Sequence, residues 1–149
     1  MLYEEYEINI SQRYLKKTLS SIEGTACLLG GWAVYLIVNE NFAKERGKEY
    51  LGSRDLDIGF HINKEDTVEK LKKSTFAKFL NNMKDMDFRL HGFRLVKHFH
   101  TETQEELSEE DFKRTPLHLT FSMYVDPIVD FIHPRFREVF GFVPIDEPS

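Results

Sequence analysis

The chain has 149 residues, of which 41% are hydrophobic and 30% charged, the composition of an ordinary globular protein. Its formal net charge of -5 argues against a large nucleic-acid surface, because such surfaces are usually basic. A small phosphate ligand is still compatible with this charge, since a bound metal ion can reverse the local charge of a site. Cys27 is the single cysteine, so the chain cannot form an internal disulfide, which suits a reducing cytoplasm.

The sequence carries no recognisable targeting or membrane signal. The N-terminus, MLYEEYEINI, is acidic, whereas a signal peptide begins with basic residues followed by an apolar stretch. The longest apolar run, WAVYLIV, is far shorter than the ~20 residues that span a bilayer. We therefore expect a cytoplasmic protein that does not enter the membrane.

The first part of the chain predicts helices alternating with strands. Ser11 is a candidate cap for a helix that runs to about Ile22. TACLL predicts a short buried strand that ends at Gly30 and Gly31, and WAVYLIVNENFAKER predicts a central helix. Alternation in RDLDIGFHI predicts a second strand, and KEDTVEKLKKSTFAKFLNNM predicts one amphipathic surface helix.

The second part predicts mainly strands. FRLHGFRLVKHFH forms either one strand bent at Gly92 or two short strands, and TETQEELSEEDFKRT predicts an exposed loop with a helical turn. LHLTFSMYV and IVDFI predict two strands separated by Asp126 and Pro127, and the irregular tail has one helical turn near Phe136. This order predicts an α/β (α+β) fold in which a mixed β-sheet carries helices mainly on one face.

Two carboxylates, Asp55 and Asp57, lie one residue apart in the second predicted strand. Because side chains alternate along a strand, both share one face with Gly59, while the apolar residues between them face the core. Neighbouring carboxylates repel each other, and Mg²⁺, which prefers carboxylate and phosphate oxygens, would remove that cost. An isolated Asp-x-Asp is also common on solvated strands, so the pattern alone does not establish a metal site.

A third carboxylate on a neighbouring strand would complete a two-metal site for in-line attack on a phosphorus atom. Asp130, in the apolar run IVDFI, is the preferred candidate. Asp126 is the competitor, although the proline that follows it disfavours a central strand position.

Gly30 and Gly31 connect the first predicted strand to the central helix. Backbone N–H groups at such a helix start bind phosphate, and glycine lets a ligand approach the backbone closely. A simple tight turn is the alternative for this pair. Arg54, next to the carboxylates, is either a phosphate-binding cation or a solvated one.

The order of these motifs resembles the nucleotidyltransferase fold of the DNA polymerase β superfamily. LGGWAVYLIV, RDLDIGF and VDFI follow its pattern of a hydrophobic residue with two small residues, a helix, Asp-x-Asp and a later acid. GGWAVY and GSRDLDIGF are most similar to stand-alone prokaryotic nucleotidyltransferases, including the abortive-infection toxin-like group. The likeness covers about residues 25–133.

The resemblance implies a Mg²⁺- or Mn²⁺-dependent transfer of a nucleoside monophosphate from an NTP to a hydroxyl of a protein, an RNA or a small molecule. It assigns metal and triphosphate binding to Asp55 and Asp57, the catalytic metal to Asp130, and phosphate binding to Gly30 and Gly31, while the charge and position of Arg54 make it a further candidate for phosphate binding. We expect one catalytic domain over residues 1–149, without the helical domain that follows the sheet in such relatives.

Two other functions stay open. The same fold could bind a nucleotide or a partner protein, or self-associate, without turnover. A hydrolase that uses the carboxylates as general acid and base is less favoured, because such pairs usually face each other across a cleft.

Overall fold

The computed structural model describes residues 4–29 and 55–146, which form one mixed sheet packed against helices. The predicted central helix after Gly31 lies outside these residues. In chain order the elements are α1 (Glu5–Ser20), β1 (Cys27–Leu29), β2 (Leu56–Phe60), α2 (Val68–Lys72), α3 (Thr75–Asp85), β3 (Arg89–His91), β4 (Arg94–His100), β5 (Glu106–Leu107), α4 (Glu109–Arg114), a 3₁₀ turn (Leu117–Leu119), β6 (Thr120–Val129), α5 (Phe136–Phe140) and β7 (Ile145–Asp146).

The main strand order is β1-β2-β6-β4-β3, with β5 beside β4 and β7 beside β6. β6 pairs in parallel with β2 and β7, and the other pairs are antiparallel. The predicted mixed sheet of an α+β protein is therefore confirmed. Among the described helices, none is both long and apolar enough to cross a membrane.

One face of the sheet supplies the core. Alternation along β2 buries Leu56, Ile58 and Phe60, as the sequence predicts. Side chains from four helices join the same cluster, including Ile10 and Tyr14 of α1, Leu71 of α2, Phe76 and Phe79 of α3 and Phe136 of α5. These helices therefore cover the core face, and the opposite face of β2 carries Asp57 and Gly59.

Local capping corrects two predicted helices. Helix α1 begins at Glu5 rather than after Ser11, because Glu4 and Glu7 form a reciprocal capping box. Ser11 is fully buried inside that helix. The long surface helix is in fact two helices, because Ser74 accepts a hydrogen bond from the Ala77 N–H at 3.2 Å and starts α3 anew.

Strand β6 corrects a third prediction, since it runs without a break through Asp126 and Pro127. β4 pairs with β6 only as far as Val125, and β7 begins to pair at Ile128. In the described ranges, the side of β6 away from β2 therefore has no strand opposite Pro127. A residue without an N–H fits at that position because no ladder hydrogen bond is lost there.

Candidate functional site

Asp57 and Asp126 lie side by side on the face of the sheet opposite the core. The two residues are directly paired in the parallel ladder between β2 and β6. Residues paired in this way point to the same face of a sheet, so their carboxyl groups are neighbours. Asp55, just before β2, is close enough to add to the negative charge at Asp57. Three acidic side chains thus meet at one place.

Arg94, at the start of β4, is the cation of this cluster. Its Nε and Nη2 atoms donate to the two oxygens of Asp126 at 2.7 and 2.9 Å, and Nη2 lies 3.3 Å from Asp55 Oδ2. The guanidinium lies 3.8 Å over the Tyr124 ring, which fixes its plane. One guanidinium therefore contacts two of the three carboxylates, and the acidic side chains of the cluster outnumber this cation.

Burial and the neighbouring acids together shift the pKa of Asp57. Burial, the charge of Asp126, a hydrogen bond with Asp126 and the charge of Asp55 together raise the pKa of Asp57 to about 6. Arg94 opposes these effects but does not cancel them. A cluster of acids that resists ionisation in this way has the electrostatics of a cation-binding site.

Asp130 does not lie in this cluster, which corrects the sequence-based choice of third carboxylate. It follows the end of β6, four residues beyond Asp126, or ~13 Å along an extended strand. Its Oδ2 lies 2.5 Å from His61 Nδ1, and its Oδ1 accepts a hydrogen bond from the Ile62 N–H at 2.8 Å. Asp126, the competing candidate that Pro127 disfavoured, occupies the position expected of Asp130.

The chemistry of these donors suits a hard divalent cation, because all three offer carboxylate oxygens. However, within residues 4–29 and 55–146 no group of three or more His, Cys, Asp or Glu side chains is arranged to hold a metal ion. Arg94 donates to both oxygens of Asp126. A metal ion at Asp126 would therefore compete with the guanidinium for these oxygens.

The remaining predicted site residues are Gly30, Gly31 and Arg54, and they lie outside the described residues. Their phosphate-binding roles stay predictions. Lys97, a second basic residue of β4, is not near the cluster's face. It is 5% exposed and lies among core side chains, because it points to the opposite side of the sheet from Arg94.

Two residues of this face were not selected from sequence. The sequence does not distinguish Arg94 from a solvated cation, and His61 lies beyond the Asp-x-Asp motif. The signal that could have found Arg94 is its place in an alternating strand whose intervening residues are apolar. His61 follows the alternation Asp55, Asp57, Gly59 by one further step.

Comparison with known proteins gives no assignment. No protein-family model, curated protein or solved structure matches this chain. The case for a function therefore rests on the carboxylate cluster and its surroundings.

Proposed function

We propose that the protein is a metal-dependent nucleotidyltransferase whose site is formed by Asp55, Asp57 and Asp126. The observation that carries the proposal is the in-register pairing of Asp57 with Asp126 on parallel strands, with Asp55 beside them. An Asp-x-Asp and a third acid on the adjacent strand are the elements that the motif resemblance requires. With Asp126 rather than Asp130 as the third acid, the pattern is the same and only the residue that completes it differs.

In this proposal Asp57 and Asp126 would hold Mg²⁺ or Mn²⁺, and Asp55 would contribute charge and a further oxygen. The metal, when bound, would neutralise the triphosphate and the departing pyrophosphate. The acceptor hydroxyl would give its proton to a carboxylate of the cluster and its oxygen would bond to the α-phosphorus, while the bond from that phosphorus to the bridging oxygen breaks and pyrophosphate leaves. Arg94, once released from Asp126, can pair with phosphate oxygens through its planar fork.

A second candidate is a nucleotide-binding or partner-binding module without turnover. The specific observation in its favour is the bidentate pairing of Arg94 with Asp126. A guanidinium that keeps this position during ligand binding would replace the metal as the counter-charge of the acids. Phosphate could then bind without transfer of a nucleotide.

The two candidates separate in a transfer assay with α-labelled NTPs, Mg²⁺ and a cell lysate as the source of acceptors. We expect label transfer by the wild-type protein and a loss of more than about 100-fold in Asp126→Asn, equal to ~2.7 kcal/mol of transition-state stabilisation. At saturating NTP, Asp85→Asn is the matched control, because Asp85 is exposed at the end of α3, and it should transfer label at close to the wild-type rate. Full activity of Asp126→Asn would overturn the proposal, and NTP binding without pyrophosphate release would favour the second candidate.

A further inference from the structure

A groove with a volume of about 300 Å³ lies on the same face of the sheet as the carboxylates. Gly59 and Ile128, paired in register between β2 and β6, line it, and Cys27 of β1 lies opposite Gly59. Gly59 and Ile128 follow Asp57 and Asp126 by two positions in their strands. Cys27 precedes Leu29, the partner of Asp57, by two positions in the antiparallel strand β1. On β2 and β6 the groove therefore begins one row, or ~7 Å, beyond Asp57 and Asp126, and on β1 it reaches back to Leu29 beside Asp57.

The far end of the groove carries a polar pair, His61 and Asp130, both of which line it. Asp130 is held by the Ile62 N–H at 2.8 Å and in turn contacts His61 Nδ1 at 2.5 Å. In the neutral ring, a carboxylate on Nδ1 selects the tautomer with the proton on that nitrogen, and Nε2 is then a hydrogen-bond acceptor. The His61 side chain is 76% exposed, so Nε2 is open to a ligand.

Three rows of residues thus follow one another across this face. The carboxylate cluster comes first, the groove floor of Gly59 and Ile128 second, and the pair of His61 and Asp130 third. A ligand with charged groups at one end, a flat apolar body and a hydrogen-bond donor at the other end would match this order. A volume of about 300 Å³ lies within the range of pockets that hold small molecules.

We propose that the groove binds the nucleoside part of the NTP, with an N–H or O–H of the nucleoside donating to His61 Nε2. This inference rests on the proposed function, because the triphosphate at the carboxylate cluster sets the direction of the ligand. The absence of a side chain at Gly59 lets a flat ring lie close to the backbone. Asp130 acts as a positioning residue, since it holds the His61 ring and fixes its tautomer.

Cys27 makes the groove directly testable, because it is the single cysteine, it is exposed and it lines the groove. The rate of its alkylation by N-ethylmaleimide is measured on the unmodified chain with Mg²⁺ and either an NTP or inorganic tripolyphosphate. We expect at least one of the four common NTPs to slow alkylation by about tenfold at saturation, while tripolyphosphate changes it less than about twofold. Equal rates with the two ligands, both shown to bind, would overturn the inference.

Substitution of His61 provides a second test of the proposed nucleoside site. His61→Ala should raise the dissociation constant for the NTP by about tenfold, the effect of one lost hydrogen bond, and leave that for tripolyphosphate unchanged. His118→Ala is the matched control, because His118 is exposed and lies next to the opposite end of β6. Unchanged NTP affinity in His61→Ala would overturn the inference. If neither NTP nor tripolyphosphate binds the wild-type protein, the proposed function fails as well, so the two failures are distinguishable.

Discussion

Two ionic clusters flank β4, one on each face, and they differ in charge balance. On the core face, Lys97 Nζ lies 3.0 Å from Glu106 Oε2 and 4.9 and 5.1 Å from the centres of the Tyr14 and Phe88 rings. It also donates to the Met86 carbonyl. On the other face, Arg94 meets carboxylates of Asp55 and Asp126, with Asp57 next to them.

The surroundings of the two cations show what each cluster does. Burial lowers the pKa of Lys97 to about 8, so Lys97 is still mostly charged at neutral pH and has one carboxylate and two aromatic faces as partners. Folding disfavours the Lys97 ammonium, so its contacts with Glu106, the Met86 carbonyl and the two rings, rather than its charge, stabilise the packing of α1 and β4 around it. The acids around Arg94 outnumber it, and a site of that kind gains from a further cation.

The largest stability effect is expected at the balanced cluster. Lys97→Ala opens a cavity and removes the contacts with Glu106 and the Met86 carbonyl, which outweighs the relieved cost of burying the charge, so we expect a loss of about 3 kcal/mol in the free energy of unfolding, measured by urea denaturation. Lys113→Ala is the matched control, because Lys113 is 73% exposed and its i,i+4 pair with Glu109 is worth less than about 0.5 kcal/mol. A loss below about 1 kcal/mol in Lys97→Ala would contradict a structural role for this cluster.

The acidic cluster should respond to substitution in the opposite direction. Because the pKa of Asp57 rises from 3.8 to about 6 on folding, the folded protein holds this proton more tightly than the unfolded chain. The stability of the wild-type protein therefore falls as the pH rises from about 4 to about 6, and the penalty is complete above that range. Asp57→Asn removes the penalty and should gain on the order of 1 kcal/mol at neutral pH, after allowance for solvent screening.

That gain can be measured as the difference in urea midpoint between Asp57→Asn and the wild type in a chelator. We expect the urea midpoint of Asp57→Asn to be higher than that of the wild type near pH 7.5 and equal to it near pH 4. Glu65→Gln, which removes an exposed carboxylate, should differ little from the wild type at either pH. A loss of stability in Asp57→Asn at neutral pH would show that the acid cluster is a balanced structural network like that of Lys97.

Local pattern was enough to predict several parts of this comparison. Alternation in β2 predicted that Leu56 and Ile58 face the core and that Asp55 and Asp57 share the other face. The order of the predicted helices and strands along the chain indicated a mixed sheet. These features depend on residues close together in the chain, where the period of the side chains decides the outcome.

The completed site depends on contacts that no local pattern contains. Asp126 reaches Asp57 only through the register between two strands about 70 residues apart in the chain. The rule against proline in central strands pointed to Asp130, and it failed because neither β4 nor β7 pairs at Pro127. Arg94 could not be told from a solvated cation, since its partners come from other strands.

The smallest effect is expected at Gly59, where space rather than charge is tested. A Cβ at this position would lie 3.1 Å from Leu29 Cδ1 and 3.7 Å from Cys27 Cβ, so Gly59→Ala narrows the groove with only a small shift of Leu29. We expect NTP affinity to fall about threefold, or ~0.6 kcal/mol, with tripolyphosphate affinity unchanged. Gly92→Ala is the matched control.

Gly92 has φ +65° and open space around it, so alanine there should cost about 1 kcal/mol of stability through backbone strain without any effect on the groove. Gly59→Ala should thus lower the nucleotide affinity, whereas Gly92→Ala should lower the urea midpoint. Calorimetry with NTP and with tripolyphosphate measures the first effect. If both glycine variants bind NTP as tightly as the wild type, the ligand does not lie over Gly59, and the acidic cluster binds its phosphates without help from the neighbouring row.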